Sequence, residues 1–289
     1  MARFGRLATA MVTPFDEQLK IDYTKVERLV DHLISTGTET IVVSGTTGES
    51  PTLSNEEKLQ LFRFVVNYAK GRAQVIAGTG SNNTESSIRF TEAASETGVD
   101  AVMVVAPYYS RPSQEGLYQH FKAVANATKL PVMLYNVPGR TGVNMAPETT
   151  LRLAKDVFNI ICIKEASGNL SQMARIIEGA PGDFELYSGD DSLTLPALSI
   201  GGVGIVSVAS HVIGNEMQAM IRSFLDGNLQ QAAALHRKYL PVFEGIFKYP
   251  SPGPIKVLLE KQGVSVGGVR LPLVYLNEQE QADILSLLG

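Results

Sequence analysis

Short apolar runs recur along the chain, and each is followed by small or polar turn residues and then by an amphipathic stretch. The runs are rich in Val, Ile, Leu and Met, which is typical of strands buried on both faces of a parallel sheet. We predict strands over residues 7–12, 40–44, 74–77, 101–106, 131–135, 160–164, 185–188 and 204–208. Helical patterns lie between them, for example over residues 23–35, 55–70, 84–97 and 114–127. Ser54 and Ser113 stand where two of these helices begin, and serine there caps free backbone N–H groups.

The alternation of strands and helices predicts a (β/α)8 TIM barrel, which we assign to residues 1–227. Residues 228–289 are predicted to form a helical C-terminal extension, with helices over 230–247, 255–262 and 278–288 and a proline-rich break at 250–254. The only strand-like run of the extension covers residues 269–276. A doubly wound sheet is the alternative, but Gly78-Thr79-Gly80 lacks the third glycine of the dinucleotide fingerprint.

Composition excludes several classes of function. The formal net charge of the 289 residues is −4, with no tryptophan and no polybasic run, so nucleic acid is not an expected partner. The apolar run before Pro14 is too short to span a membrane and does not resemble a signal peptide. Cys162 is the only cysteine, which predicts a cytoplasmic protein without internal disulfides. The 4 histidines show no metal-ligand spacing, so we expect no metal ion and no cofactor.

Lys164 is the only lysine inside a predicted strand, and alternation places it on the face of Cys162 and Ile160. Among apolar side chains an amine loses hydration, which lowers its pKa. Such an amine can attack a ketone and form an imine. The alternative is a lysine that reaches solvent from the end of its strand. Cys162 is predicted to be a small core residue rather than a nucleophile.

The active site of such a barrel lies at the carboxyl ends of its strands, where further polar residues stand. Thr46 and Thr47 lie between glycines after the second strand, in a turn suited to a carboxylate or phosphate, or in a merely capped turn. Tyr135 ends the fifth strand and could pass protons near an imine carbon. Arg140 follows on the next loop and offers a planar fork to a carboxylate. The alternatives are a tyrosine packed at the rim and a solvated arginine.

Two further strands are followed by pairs of identical residues, one of tyrosines and one of aspartates. Tyr108 and Tyr109 lie on a proline-bounded loop after the fourth strand, which predicts a lid or, more simply, an interface anchor. Asp190 and Asp191 follow the seventh strand, where they could bind a metal. Because no third ligand is evident nearby, capping of the next helix is the favoured interpretation.

Together these segments resemble the dihydrodipicolinate synthase family, in the larger group that includes N-acetylneuraminate lyase. The resemblance runs over nearly the whole chain. The threonine-glycine motif and Lys164 mark the larger group, whereas Arg140 points to the synthases. The segments that carry it are Gly45-Thr46-Thr47-Gly48-Glu49-Ser50, Pro107-Tyr108-Tyr109, Tyr135-Asn136-Val137-Pro138-Gly139-Arg140-Thr141-Gly142, Ile163-Lys164-Glu165-Ala166-Ser167 and Ser188-Gly189-Asp190-Asp191.

The resemblance implies that Lys164 forms a Schiff base with pyruvate and that the enamine attacks L-aspartate-4-semialdehyde, on the pathway to diaminopimelate and lysine. It also implies a homo-oligomer, commonly a dimer of dimers, in which Tyr109 enters a neighbouring subunit's site. The remaining roles that it implies are a proton relay of Tyr135, Thr46 and Tyr109, pyruvate carboxylate binding by Thr47 and Thr46, binding of the second substrate's carboxylate by Arg140, and backbone lining by Gly189 and Val206.

Many members of this family are inhibited by lysine at an interface site that contains His and Glu. The matching positions here are Asn55, Lys58 and Ser86, while Ser50, Pro51, Asn82 and Tyr108 could still line a pocket. A cationic Lys58, and a serine in place of an acidic ligand, disfavour a dibasic amino acid. We therefore expect weak or absent inhibition by lysine.

Two other functions stay open at this point. An aldolase for sialic acid or a keto-deoxy sugar acid would share the imine chemistry, but its polyol substrate would favour hydroxyl-binding residues in place of Arg140. A catalytically silent binding protein on the same scaffold is disfavoured by the joint presence of Lys164, Tyr135, Thr46 and Tyr109.

Overall fold

The computed structural model describes residues 2–288 and contains a closed barrel of eight parallel strands in chain order, so the predicted (β/α)8 fold is confirmed. Hydrogen bonds between the last strand and the first close the barrel. The strands are β1 (Leu7–Ala10), β2 (Thr40–Val43), β3 (Gln74–Gly78), β4 (Ala101–Val105), β5 (Val132–Asn136), β6 (Ile160–Glu165), β7 (Glu185–Ser188) and β8 (Gly204–Ser207).

The four helices predicted between the first strands all begin where the sequence predicts; the first also ends there, at Ser35, and the other three end one or two residues earlier. Ser54 accepts a hydrogen bond from the Glu57 N–H in a reciprocal capping box, and Ser113 accepts one from the Gly116 N–H at the start of the later helix. The helix predicted to run to Lys70 stops one residue before it, because Lys70 takes a left-handed conformation. The helices around the barrel are α1 (Tyr23–Ser35), α2 (Asn55–Ala69), α3 (Thr84–Ser95), α4 (Gln114–Asn126), α5 (Pro138–Thr141), α6 (Pro147–Asp156), α7 (Leu170–Gly179), α8 (Thr194–Ser199) and α9 (Ser210–Leu225).

Three further helices follow the barrel: α10 (Leu229–Gly245), α11 (Gly253–Lys261) and α12 (Glu278–Leu285). The helix α10 packs along α9, and α11 packs on both α9 and α12. The strand-like run at residues 269–276 forms no strand; its arginine, Arg270, is instead held by side chains of the β2–α2 region. The division of the chain between residues 227 and 228 stays a prediction. No helix between residues 2 and 288 is long and apolar enough to cross a membrane.

One irregularity in the barrel decides which way the β6 side chains face. Val132 pairs with Ile160 but the next residue, Met133, pairs with Cys162, so β6 contains one extra residue there. Cys162 consequently packs with Met133 and Tyr187, whereas Ile160 packs in the separate apolar layer formed with α4, α6 and α7. The prediction that Ile160 shares the face of Lys164 was therefore wrong, because strict alternation does not survive a bulge.

Candidate active site

A cavity of about 270 Å³ opens at the carboxyl ends of β2 to β5. The threonine turn contributes Thr46, the end of β5 contributes Tyr135, and α5 contributes Arg140. Gly78 and Gly80 also line it, and the backbone there approaches neighbours so closely that a Cβ on either residue would lie 2.4 Å from a backbone atom. The two glycines therefore allow close backbone packing at the end of β3, which forms one wall of the cavity.

Lys164 lies near the end of β6 with only 6% of its surface exposed, so the predicted burial of this amine is confirmed. Its Nζ stands 4.2 Å from the centre of the Tyr135 ring, and Tyr135 is the residue that pairs with it across the two strands. Within residues 2–288 no carboxylate lies within ion-pair distance of the amine. The amine is thus buried beside the cavity with an aromatic ring as its nearest electrostatic partner.

Gly189 follows β7 and packs directly on the Lys164 side chain. A Cβ at this position would lie 3.0 Å from Lys164 Cε, 3.1 Å from Lys164 Cγ and 2.7 Å from the Ala166 Cβ. Non-bonded carbon atoms in contact are ordinarily about 3.5–4.0 Å apart. The absence of a side chain at this glycine is therefore what leaves room for the lysine.

Glu165, the neighbour of Lys164, points to the opposite face of β6 and is fully buried. Its carboxylate accepts hydrogen bonds from the side-chain amides of Asn136 and Gln172 and from the Ser167 N–H. Asn144 joins the two amides from the α5–α6 connection. These bonds satisfy the carboxylate without the lysine, and they hold the ends of β5 and β6 in register.

The threonine turn is closed by hydrogen bonds within itself. The Glu49 N–H donates to the Thr46 carbonyl oxygen at 3.0 Å, and the Ser50 N–H donates to the Gly45 carbonyl oxygen at 3.3 Å. Thr46 faces the cavity, whereas Thr47 is buried. Such a turn presents hydroxyl and backbone N–H groups in a fixed arrangement, which is suited to a carboxylate.

Arg140 and Tyr109 are both exposed, and among residues 2–288 the side chain of neither makes a hydrogen bond or an ion pair. Arg140 lines the cavity and has no carboxylate within ion-pair distance among residues 2–288. Tyr109 has 89% of its surface exposed and a left-handed backbone, with its N–H donating to the Thr141 carbonyl oxygen. The side chain of Tyr109 therefore projects away from the chain's own cavity, which Tyr108 lines instead.

The residues singled out for a lysine pocket divide into two groups. Ser50, Pro51, Lys58 and Tyr108 line the same cavity as Thr46 and Arg140. Asn55, Asn82 and Ser86 are exposed and do not line it. The Lys58 ammonium lies 5.4 Å from the centre of the Phe90 ring, and partial burial lowers the pKa of this lysine.

Asp190 caps the short 3-10 helix that follows β7, as predicted, whereas Asp191 binds the backbone between β8 and α9. Asp190 accepts hydrogen bonds from Ser192, and Asp191 accepts from the Val208 and Ala209 N–H groups and from the Ser207 hydroxyl. Burial raises the pKa of Asp191 to about 6. Between residues 2 and 288 no group of three or more His, Cys, Asp or Glu residues is arranged to hold a metal ion.

Other positions of the prediction lie in the core. Cys162 is a buried free thiol, and burial raises its pKa well above the ordinary value. Val206 lies in β8 with a buried side chain, so that only its backbone could face a ligand.

Two residues that bear on the site were missed by the sequence reasoning. Ser44 directly follows β2, has a left-handed backbone and lines the cavity. Lys256 in α11 is fully buried and ion-paired with Glu49 of the threonine turn. The signal for Lys256 was present, since it is the single charge within the apolar run Ile255-Lys256-Val257-Leu258-Leu259.

Comparison with known proteins identifies the relatives of this chain. The model of the dihydrodipicolinate synthetase family matches residues 3–289. The 4-hydroxy-tetrahydrodipicolinate synthase of Bacillus subtilis (strain 168) is 56% identical over 286 residues, which cover 99% of each chain. A crystal structure of dihydrodipicolinate synthase from Bacillus anthracis superposes with a TM-score of 0.98 at 56% identity, covering 100% of this chain and 98% of that one. A lysine-bound synthase from Cyanidioschyzon merolae gives 0.96 at 48% identity, covering 99% and 97%. The chain belongs to the dihydrodipicolinate synthetase family.

Proposed function

We propose that this protein is a 4-hydroxy-tetrahydrodipicolinate synthase that condenses pyruvate with L-aspartate-4-semialdehyde through a Schiff base on Lys164. The observation that carries the proposal is the amine of Lys164, buried over the Tyr135 ring beside a cavity that also holds Thr46 and Arg140. Relatives that are 54–58% identical over nearly the full length bear the synthase name. No cofactor takes part in the proposed reaction.

The chemistry follows from the amine. The neutral Lys164 amine attacks the ketone carbon of pyruvate, water leaves, and a protonated imine remains. The imine draws electrons from the adjacent methyl group, which loses a proton and becomes the nucleophilic end of an enamine. This carbon bonds to the aldehyde carbon of the second substrate, whose oxygen takes up a proton. The amine of the second substrate then displaces the enzyme lysine as the product closes its ring.

The proton transfers fall to Tyr135, Thr46 and Tyr109. Tyr135 is supported by its ring contact with the Lys164 Nζ, and Thr46 by its place on the cavity wall. A hydroxyl relay of this kind carries protons to and from a centre that solvent reaches poorly. Tyr109 cannot close the relay from its own chain, because its side chain is almost fully exposed.

The two substrates are both carboxylates, and the site provides for each. We assign the pyruvate carboxylate to Thr46 and the Thr47 N–H, and the carboxylate of the semialdehyde to the guanidinium of Arg140. Gly189 and Val206 would contribute backbone around the imine. Among residues 2–288 no carboxylate lies within ion-pair distance of the Arg140 guanidinium, which supports an acidic substrate because that cation is available to it.

A shared site implies a homo-oligomer, and a dimer of dimers is our proposed assembly. The support is Tyr109, an aromatic side chain held out from the surface by a left-handed backbone. A fully exposed tyrosine on an ordered loop is typical of an interface anchor. Light scattering that showed only monomers would contradict the assembly. The single, unpaired cysteine, Cys162, supports a cytoplasmic location.

An aldolase for N-acetylneuraminate or another keto-deoxy sugar acid is the second candidate, since it would use the same lysine. Arg140 beside the cavity favours the synthase, because a guanidinium matches a carboxylate better than a polyol chain. A coupled assay that offers L-aspartate-4-semialdehyde and N-acetylneuraminate to the same preparation separates the two.

Borohydride reduction in the presence of pyruvate tests the central claim. A reduced pyruvate adduct should appear in the intact mass of the protein and map to Lys164. Lys164→Ala should form none, whereas Lys155→Ala, a change in the last turn of α6, should trap pyruvate normally. An adduct that persists in Lys164→Ala would refute the proposed chemistry.

A further inference from the structure

Lys256 joins the helices that follow the barrel to the threonine turn through a buried ion pair. Its side chain and that of Glu49 are both 0% exposed. The ammonium donates to a Glu49 carboxylate oxygen at 2.8 Å, to the Thr13 carbonyl oxygen at 2.9 Å and to the Gly268 carbonyl oxygen at 2.6 Å. An ammonium has three N–H donors, so all of them are used. The amine is therefore placed by three acceptors from three separate segments.

The second carboxylate oxygen of Glu49 and its backbone N–H also form hydrogen bonds. The Arg270 N–H donates to that oxygen at 2.9 Å, while the Glu49 N–H closes the turn on the Thr46 carbonyl oxygen. Glu49 has a left-handed backbone, with φ at 55°. A residue other than glycine resists this conformation, so surrounding contacts must hold it. The buried carboxylate supplies those contacts.

Thr13 provides a second tie between the ion pair and the turn. Its carbonyl oxygen accepts from Lys256, and its hydroxyl donates to the Gly48 carbonyl oxygen at 2.7 Å. Gly48 packs closely on the residue that follows β1, since a Cβ there would lie 3.0 Å from the Met11 carbonyl oxygen. Gly48 and Glu49, the two residues that follow Thr47, are thus each held by a hydrogen bond. Their partners, Thr13 and Lys256, do not line the cavity.

We propose that Lys256 and Glu49 are positioning residues that hold the Thr46–Thr47 turn ready for the carboxylate of the keto acid. The inference rests on the proposed function, which assigns that carboxylate to the turn. Removal of Lys256 leaves Glu49 buried without its counter-charge. The turn must then open to hydrate the carboxylate, and the hydroxyl and N–H groups of the turn lose their fixed spacing. The chemistry at Lys164 itself is not touched.

Steady-state kinetics of Lys256→Met and of the doubly neutral variant Glu49→Gln/Lys256→Met test the proposal. A small displacement of a binding group is costly, so the KM for pyruvate should rise at least about tenfold. Turnover at saturating pyruvate should fall by a smaller factor than the KM rises, because ground-state binding of the carboxylate acts on KM, while only Thr46 of this turn also belongs to the proposed relay. Thr13→Val, which keeps the ion pair and removes one tie, should raise the same KM and provides the test if the lysine variants do not fold.

Arg270→Met is the matched control. Its guanidinium binds Glu57 and the Leu19 and Thr52 carbonyl oxygens but does not touch Glu49, and the Arg270 N–H remains in the variant. We expect Arg270→Met to lower thermal stability and leave the KM for pyruvate unchanged. An equal rise of KM in Arg270→Met at a matched melting temperature, or an unchanged KM in both Thr13→Val and the folded Lys256 variants, would overturn the inference. Failure of the wild type to trap pyruvate on Lys164 would instead refute the proposed function.

Discussion

Replacement of Gly189 by alanine is the sharpest test of how the site is built. The new methyl group would stand 3.0 Å from Lys164 Cε and 2.7 Å from the Ala166 Cβ. Ordinary contact distances of about 3.5–4.0 Å require the lysine side chain to move by roughly 0.5–1 Å. A misplacement of this size costs about 100-fold in rate, which corresponds to about 2.7 kcal/mol of transition-state stabilisation.

The cost to folding should be moderate by comparison. One added methyl group in a packed site destabilises a protein by about 1–3 kcal/mol, which a barrel of this size tolerates. Gly189→Ala should therefore fold, bind pyruvate and form the borohydride-trapped adduct at a rate lowered about 100-fold. Single-turnover trapping, quenched at intervals and read by intact mass, measures that rate directly.

Gly182→Ala is the control, because a Cβ at this exposed position meets no atom within 4 Å. It should trap pyruvate at the wild-type rate. If Gly189→Ala also trapped pyruvate at the wild-type rate, the packing of Gly189 on Lys164 would have no bearing on catalysis, and the reasoning would be refuted.

Three further predictions concern the interface, the ligand and the pH range. Tyr109→Phe should lower kcat by about 100-fold with an unchanged melting temperature, because it removes one hydroxyl of the relay; full activity would rule out the shared site. Calorimetry should detect no micromolar binding of lysine, since Lys58 places a positive charge on the cavity wall; a micromolar Kd would contradict this. Burial lowers the pKa of His211 from 6.5 to about 4, so the unfolded chain takes up this proton first. The contribution of neutral His211 to the free energy of unfolding is fully present above pH 6.5, and about 3 kcal/mol of it is lost as the pH falls to about 4. Urea unfolding of His211→Gln should lack that loss, and parallel pH curves for the two proteins would refute the assignment.

The fold was predictable because its signals are local. Each strand is a short apolar run, and a serine or asparagine that caps its own helix marks the start of α2, α3 and α4 within one turn. The proposed role of Lys164 could be inferred from the sequence for a related reason. A lysine in a strand that is otherwise apolar contradicts the surrounding pattern, and such contradictions concentrate at functional sites.

The features that escaped prediction depend on contacts between distant segments. Lys256 and Glu49 are 207 positions apart, and nothing in either local sequence names the other. The turn that contains Thr46 can be predicted from its glycines, but its contact with α11 through Lys256 cannot. The extra residue in β6 escaped for a different reason, since a bulge leaves the hydrophobic character of Ile160, Ile161 and Cys162 unchanged.

That extra residue sets the polarity of the whole site. If the same sequence paired with β5 without a bulge, each side chain after Ile160 would change faces. Lys164 would then point to the side of the strand that Glu165 now occupies. Glu165 would then point into the barrel in place of Lys164, and the proposed nucleophile for keto acids would be replaced by a carboxylate that repels them. The group that faces the barrel interior thus depends on a β-bulge at Ile161, three residues before the lysine.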